Sequence, residues 1–182
     1  MRIVLAGFMG TGKSAVGRRL AARRGLPFID LDAWIEERAG MSVAEIFARD
    51  GEVRFRALEK EAVREVCRGS DAVIAAGGGT VLDDDNRVAF EKAGLLLCLV
   101  ARPDAIAKRV GDSVETRPLL RGHPDLIARI RDLLAQRAPA YQRIARKIDT
   151  SDLSPDQVVE RIEIEIESAR TAAGRGAGGA SA

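Results

Sequence analysis

Ile3-Val4-Leu5-Ala6-Gly7-Phe8-Met9-Gly10-Thr11-Gly12-Lys13-Ser14 is the stretch on which the fold reading turns. Ile3 to Ala6 is a short apolar run closed by glycine, the pattern of a buried strand. A helical pattern begins near Lys13, with Val16 and Leu20 on one face, Arg18, Arg19, Arg23 and Arg24 elsewhere, and Gly25 at its end. Between strand and helix, Gly7 to Ser14 fits G-x-x-x-x-G-K-S/T without adjustment. Glycines let backbone N–H groups curl around phosphate oxygens, and the helix beginning at Lys13 adds its positive dipole end. In such a loop the lysine reaches the β- and γ-phosphates and the Ser14 hydroxyl ligates Mg2+.

Further strands follow at intervals. Pro27-Phe28-Ile29-Asp30-Leu31-Asp32 reads as a second strand running into two aspartates, and Ala72 to Ala76 as a third running into Gly77-Gly78-Gly79. Leu95 to Val100 is a fourth, apolar on both faces as a central parallel strand is, and Lys147 to Thr150 a weaker fifth. Ser42-x-x-Glu45 is a capping box opening a short helix that Gly51 ends, and a longer one starts at Glu52 with Phe55, Leu58, Ala62 and Val66 on one face. Leu126, Ile127, Ile130, Leu133 and Leu134 mark another, which Pro139 is expected to end. Ser154-Pro155-Asp156-Gln157 opens the last, with Val158, Val159, Ile162 and Ile166 as its stripe. Alternating strands and helices predict an α/β fold with a parallel sheet, whose ligands bind at the carboxyl edge of the strands.

The chain has 182 residues, room for one domain but not two full cores. Residues 1–169 are expected to form that domain, and the Ala/Gly/Ser/Arg stretch 170–182 a disordered tail. Lys plus Arg number 29 against 27 Asp plus Glu, a balance that argues against a polyanion-binding surface, as does the lack of interleaved aromatics. The longest apolar run, Leu95 to Ala101, is too short to span a bilayer, and the start lacks a signal-peptide cleavage pattern. Neither a membrane nor a nucleic-acid partner is expected, and the cytoplasm is the default location. Two cysteines without ligand spacing and a single histidine argue against a zinc site. A GTPase is excluded because no aspartate is followed by glycine three positions on, and no N/T-K-x-D segment exists.

Several residues carry possible chemistry. Asp30 and Asp32, two apart at a strand end, are expected on one side of the sheet. One can hold hydrated Mg2+ opposite Ser14 and the other face an acceptor hydroxyl; the alternative is that one or both cap the next helix. Arg56 has Glu52 and Glu59 within helical reach, which fits a solvated salt-bridge face as well as a functional one. Arg137 continues the apolar face of its helix and is expected to point inward. A buried guanidinium needs an anionic partner, either an internal carboxylate or that of a substrate. The triple glycine is either a turn or a place where N–H groups meet a ligand closely. Arg117 lies in the weakly patterned stretch 111–124, a candidate lid in which it closes over a transferring phosphoryl group, or is an ordinary surface arginine.

Taken in order, these motifs resemble the shikimate kinases over roughly residues 2–166. The succession is Gly7 to Ser14, Asp30-Leu31-Asp32, Gly51-Glu52 through Phe55-Arg56 to Glu59, Gly77 to Gly79, Arg117 to Leu120, and Arg137-Ala138-Pro139-Ala140-Tyr141. The resemblance implies a P-loop, nucleoside-monophosphate-kinase-like fold, with a five-stranded parallel sheet flanked by helices, a substrate-binding helical region at about 32–62 and a mobile lid at about 111–124. It implies transfer of the γ-phosphoryl of MgATP to the 3-hydroxyl of shikimate, in the chorismate and aromatic amino acid pathway, by a monomer. Lys13, Asp32 and Arg117 then serve catalysis, with Asp32 the proton acceptor. Asp32, Arg56, Gly78, Gly79 and Arg137 bind shikimate, the two arginines clamp its carboxylate, and Glu59 orients Arg56. Gly10, Thr11, Gly12, Lys13, Ser14, Ala15, Arg109 and Arg117 bind nucleotide, with Arg109 against adenine. Ser14, and Asp30 through water, hold Mg2+. Two departures stand out: Ala15 replaces a usual second hydroxyl residue, and Asp112-Ser113-Val114-Glu115 makes the lid unusually acidic. A P-loop kinase acting on gluconate or a nucleoside monophosphate is the neighbouring reading, but does not require the Asp32, Arg56, Gly79, Arg137 set.

Overall fold

The computed structural model describes residues 1–117 and 119–177, without the side chains of 112, 115, 116 and 173–177. Five parallel strands, β1 (Arg2–Gly7), β2 (Phe28–Asp30), β3 (Val73–Ala75), β4 (Gly94–Val100) and β5 (Arg146–Asp149), lie in the order β2-β3-β1-β4-β5. The helices are α1 (Lys13–Arg24), α2 (Leu31–Ala39), α3 (Val43–Arg68), α4 (Asp84–Ala93), α5 (Pro103–Val110), α6 (Leu126–Gln142) and α7 (Pro155–Ala177). Period-two alternation along the central strands feeds two cores. Val4, Ala6, Leu96 and Cys98 face α2, α3, α4, α5 and α6 through Ile35, Phe55, Phe90, Ile106 and Ile130. Ile3, Leu5, Leu95, Leu97 and Leu99 face α1 and α7 through Val16, Leu20, Val158, Ile162 and Ile166.

Strand β1 pairs with β3 on one side and β4 on the other, so the chain order reverses around it. The loop leaving β1 therefore sits at the topological switch point, over the carboxyl edge of the sheet.

Three local expectations are corrected. Strand β2 stops at Asp30 and α2 starts at Leu31, so Asp32 is a first-turn helical residue rather than the next strand position. Helix α6 runs through Pro139 to Gln142. Proline removes one hydrogen bond, to the carbonyl four residues back, and so near a C-terminus it interrupts only a residual turn. The expectation at Gly51 holds: at φ 79°, ψ 174° it is non-helical and separates two helices within α3. Helix α7 continues to Ala177, beyond the expected tail start at 170; Ala172, Ala173 and Ala177 favour helix there, although Gly174 and Gly176 do not. The rest of that tail, 178–182, lies outside the described residues. Helix α2 is the one expected after the two aspartates, while α4 and α5 carry no helical signal singled out in the sequence. The acidic side chains of Asp112 and Glu115, and Pro118 in the expected lid, also lie outside the described set.

Candidate active site

The loop after β1 needs glycine for its geometry. Gly7, Gly10 and Gly12 have φ of 134°, 75° and 95°, in the region side-chain-bearing residues avoid. At Gly7 a Cβ would lie 2.1 Å from the carbonyl oxygen of Leu99, so β1 and β4 could not stay paired there. Thr11 is buried and its hydroxyl donates to the Phe8 carbonyl at 2.7 Å, closing the loop from inside. Lys13 folds back, donating from Nζ to the carbonyls of Gly7 at 2.9 Å and Phe8 at 3.0 Å.

That loop floors a cavity of about 320 Å³, lined by Gly10, Gly12, Lys13, Ser14, Ala15, Asp30, Asp32, Gly78 and Arg117 among others. The two aspartates thus meet although they arise from different elements. The Ser14 hydroxyl donates to Asp30 Oδ2 at 2.7 Å. A hydroxyl and a carboxylate oxygen side by side, facing a phosphate loop, suit Mg2+, which keeps several waters and takes few protein oxygens. Among the described residues no group of three or more His, Cys, Asp or Glu forms a metal cage, which Mg2+ does not need.

Electrostatics separate the charged groups at the cavity. Burial, reinforced by the negative charge of Asp30, pushes the Asp32 carboxyl up to about 6 despite the opposing pull of Lys13. Burial likewise lowers Lys13 to about 8, against the attraction of Asp32 and Asp30. A carboxyl and an amine both tuned toward neutrality in one cavity are the combination that acid–base chemistry uses.

The triple glycine gathers the other side chains. A Cβ on Gly77 would stand 2.6 Å from Asp32 Oδ1, one on Gly78 3.6 Å from an Arg137 nitrogen, and one on Gly79 2.9 Å from an Arg56 nitrogen. Gly77 and Gly79 therefore make room for Asp32 and Arg56, while Gly78 lies at ordinary contact distance from Arg137. Arg56 donates to Glu59 Oε2 at 2.9 Å and to exposed Glu52 Oε1 at 3.0 Å, while its guanidinium lies 5.4 Å from the Phe55 ring centre. Glu59 is buried and accepts from Thr80 Oγ1 at 2.7 Å, and Asn86 Nδ2 donates to the Thr80 carbonyl at 3.1 Å. The salt-bridge face and the functional reading of Arg56 are thus compatible: the glutamates hold the guanidinium beside Gly79.

Arg137 is buried, 9% exposed, and points inward as expected. Its partners are the Gly78 carbonyl, 3.1 Å from Nη1, and the Phe8 ring, 5.1 Å away; among the described residues it pairs with no carboxylate. An internal acid does not neutralise it. Arg117 lines the cavity and donates from Nε to Ser113 Oγ at 3.0 Å. Arg109 lies apart, on α5 at the outer side of the loop. It donates to Thr150 Oγ1 at 2.9 Å, to the carbonyls of Thr150 and Ser151, and to Gly10 O at 3.4 Å.

Sequence reasoning gave no role to Thr80, Asn86, Thr150 or Tyr141. Thr150 is buried and contacts the carbonyls of Thr11 and Val100, tying the end of β5 to the phosphate loop. Tyr141 alone had a readable signal, being four residues after Arg137 and hence on the same helical face.

Comparison with known proteins agrees with this architecture. The family model for shikimate kinase matches residues 9–167. The shikimate kinase of Pelotomaculum thermopropionicum is 47% identical over 160 residues, 88% of this chain and 92% of that protein. That of Geobacter sulfurreducens is 47% identical over 162 residues, 88% and 87% of the two chains. The solved shikimate kinase from Acinetobacter baumannii in complex with shikimate superposes with a TM-score of 0.85 at 32% identity, over 92% of this chain and 93% of that one. A gluconokinase from Sinorhizobium meliloti reaches a TM-score of only 0.53 at 19% identity, a likeness of fold alone. On the strength of the matched family model and of relatives at this identity over most of its length, the chain belongs to the shikimate kinase family.

Proposed function

We propose that the protein transfers the γ-phosphoryl group of ATP to the 3-hydroxyl of shikimate, releasing shikimate 3-phosphate and ADP on the route to the aromatic amino acids. The observation that carries this reading is Arg137: a buried guanidinium with no carboxylate partner among the described residues, beside the triple glycine that also faces Arg56 and Asp32. A substrate carboxylate supplies the missing anion, and two arginines hold it in a directional, charge-assisted grip. That grip fixes the ring so that a hydroxyl reaches Asp32.

Phosphoryl transfer depends on positioning and charge neutralisation more than on covalent chemistry. Asp32 accepts the proton of the attacking hydroxyl, a task for which a carboxyl near 6 is ionised at neutral pH yet basic enough to take it. Lys13 exchanges its contacts with the Gly7 and Phe8 carbonyls for phosphate oxygens, which restore its full charge. The N–H groups of Gly10 to Ala15 cradle the phosphates, and Arg109 borders the adenine. Ser14, and Asp30 through water, hold Mg2+, which supplies neutralisation of phosphate charge. Arg117 leaves Ser113 and approaches the transferring group as the 111–124 lid closes, excluding water. Gly78 and Gly79 meet the substrate through their backbone, and Glu59 fixes Arg56.

The protein is proposed to act as a cytoplasmic monomer without nucleic-acid or membrane partners; among the described residues no helix is long and apolar enough to cross a membrane. The reading is tested by calorimetric titration with shikimate, comparing the wild type with Arg137→Ala. Wild-type binding, with affinity lost by at least about 100-fold in the variant, is expected from removing a charge-assisted pair. Equal affinity in both proteins contradicts the carboxylate assignment.

A further inference from the structure

Helix α6 delivers two side chains to one atom. From Tyr141 the hydroxyl donates to the Gly78 carbonyl at 2.6 Å, and from Arg137, one turn earlier, Nη1 donates to the same oxygen at 3.1 Å. The tyrosine bond is the shorter, and Tyr141 is buried, 6% exposed, within the core. We propose that Tyr141 is a positioning residue for the carboxylate end of the acceptor site, acting through the Gly78 carbonyl on both Arg137 and the Gly78–Gly79 peptide; this rests on the shikimate reading above.

Two physical consequences follow from the shared acceptor. First, the carbonyl lies beside the site and needs a donor. With the tyrosine hydroxyl supplying a strong one, Arg137 spends a single N–H on the carbonyl; its guanidinium also meets the Tyr141 hydroxyl, and the other donors of its five-donor fork remain for an incoming carboxylate. Without the hydroxyl, the guanidinium becomes the carbonyl's sole donor and is drawn toward it, so protein and substrate compete for the same charge. Second, the peptide is trans, so fixing the Gly78 carbonyl toward α6 turns the N–H of Gly79 away from it. Among the described residues that N–H has no hydrogen-bond partner, and Gly79 is only half-buried. It is free to donate to a ligand, and glycine carries no side chain to hold its peptide plane, so the plane must be held from elsewhere. Burial pushes the tyrosine hydroxyl up to about 12, which keeps it a donor at every working pH.

The test is Tyr141→Phe, which retains the ring and its packing and deletes the one hydroxyl; the Gly78 carbonyl keeps Arg137 as a donor, so the fold is expected to survive. Steady-state kinetics should show the KM for shikimate raised about five- to tenfold, the size of one lost hydrogen bond, with the KM for ATP within about twofold of wild type. Calorimetry should give a matching loss of shikimate affinity without any turnover, and thermal unfolding should shift by no more than about 3 °C. An unchanged KM and affinity for shikimate overturns the proposal. So does a parallel rise in both KM values with a large fall in Tm, which marks a purely structural tyrosine. A wild type that neither binds nor phosphorylates shikimate overturns instead the reading on which the proposal rests.

Discussion

Asp32 and Lys13 show how a site's function works against its stability at the residue scale. In the unfolded chain the Asp32 carboxyl returns to about 3.8; in the folded cavity it stands near 6. The folded protein therefore binds this proton more readily than the unfolded chain. Ionising Asp32 costs folding stability, fully so above about pH 6 and not at all below about pH 4. Asp32→Asn is expected to abolish turnover yet raise Tm at pH 8 by up to about 6–12 °C, corresponding to about 3 kcal/mol, with the gain vanishing near pH 4. Scanning calorimetry at the two pH values checks it. Kinetically, kcat/KM for shikimate should fall as pH drops through about 6, where Asp32 gains its proton. The value for ATP should fall as pH rises through about 8, where free Lys13 loses its own. A flat profile across both limbs would remove these groups from the chemistry. None of this tuning is written in the motif: the sequence names Lys13 and Asp32, but only burial beside Asp30 sets their proton affinities.

Among the elements, the glycine run after β3 is the piece whose logic the structure supplies. The sequence marks three glycines at a strand end; it does not say that each faces a different charged side chain. The three positions are expected to respond differently to alanine. At Gly79, φ is −111° and the atoms in the way are the far end of Arg56, so Gly79→Ala should fold and raise the KM for shikimate about tenfold. At Gly77 a Cβ meets Asp32 Oδ1 at 2.6 Å and Thr80 Oγ1 at 3.0 Å in a buried spot. Gly77→Ala should therefore cost both stability and turnover. Circular-dichroism melts alongside kinetics separate the two outcomes. Element ends were the least legible part of the chain. Asp30-Leu31-Asp32 alternates like a strand, but β2 is an edge strand of three residues and the chain turns into α2 as soon as pairing with β3 ends. Pro139 reads as a stop because proline breaks helices. Here the turn beyond it is retained, with Tyr141 buried and bonded to Gly78.

At the scale of the whole molecule, the parallel sheet was legible because its central strands β1, β3 and β4 are apolar on both faces and the strands are separated by helical patterns. The order β2-β3-β1-β4-β5 is not legible in the sequence, since alternation along a strand says which face a residue takes but not which strand lies beside it. The proposed carboxylate site was half legible. The inward direction of Arg137 follows from helical spacing, whereas the absence of an acid opposite it among the described residues required three dimensions. Helix α7 packs on α1 through residues ending at Ile166 and Ala169. A chain shortened after Arg170 is therefore expected to keep its Tm within about 2 °C and its turnover within about twofold; ordinary surface changes away from the core have effects of this size. A loss of several-fold in activity would give the C-terminal stretch a role beyond the sheet.

The central claim is that the two arginines and the glycine run select shikimate as acceptor. Its most direct test is ADP release from MgATP by the full chain, with shikimate, gluconate, AMP or CMP offered separately and no acceptor as control. Turnover with shikimate is expected at about 1 s⁻¹ or faster, an ordinary kinase rate, and only background with the others. Turnover with another acceptor and none with shikimate would leave the phosphate loop standing and contradict the assignment of Arg56, Arg137 and Asp32.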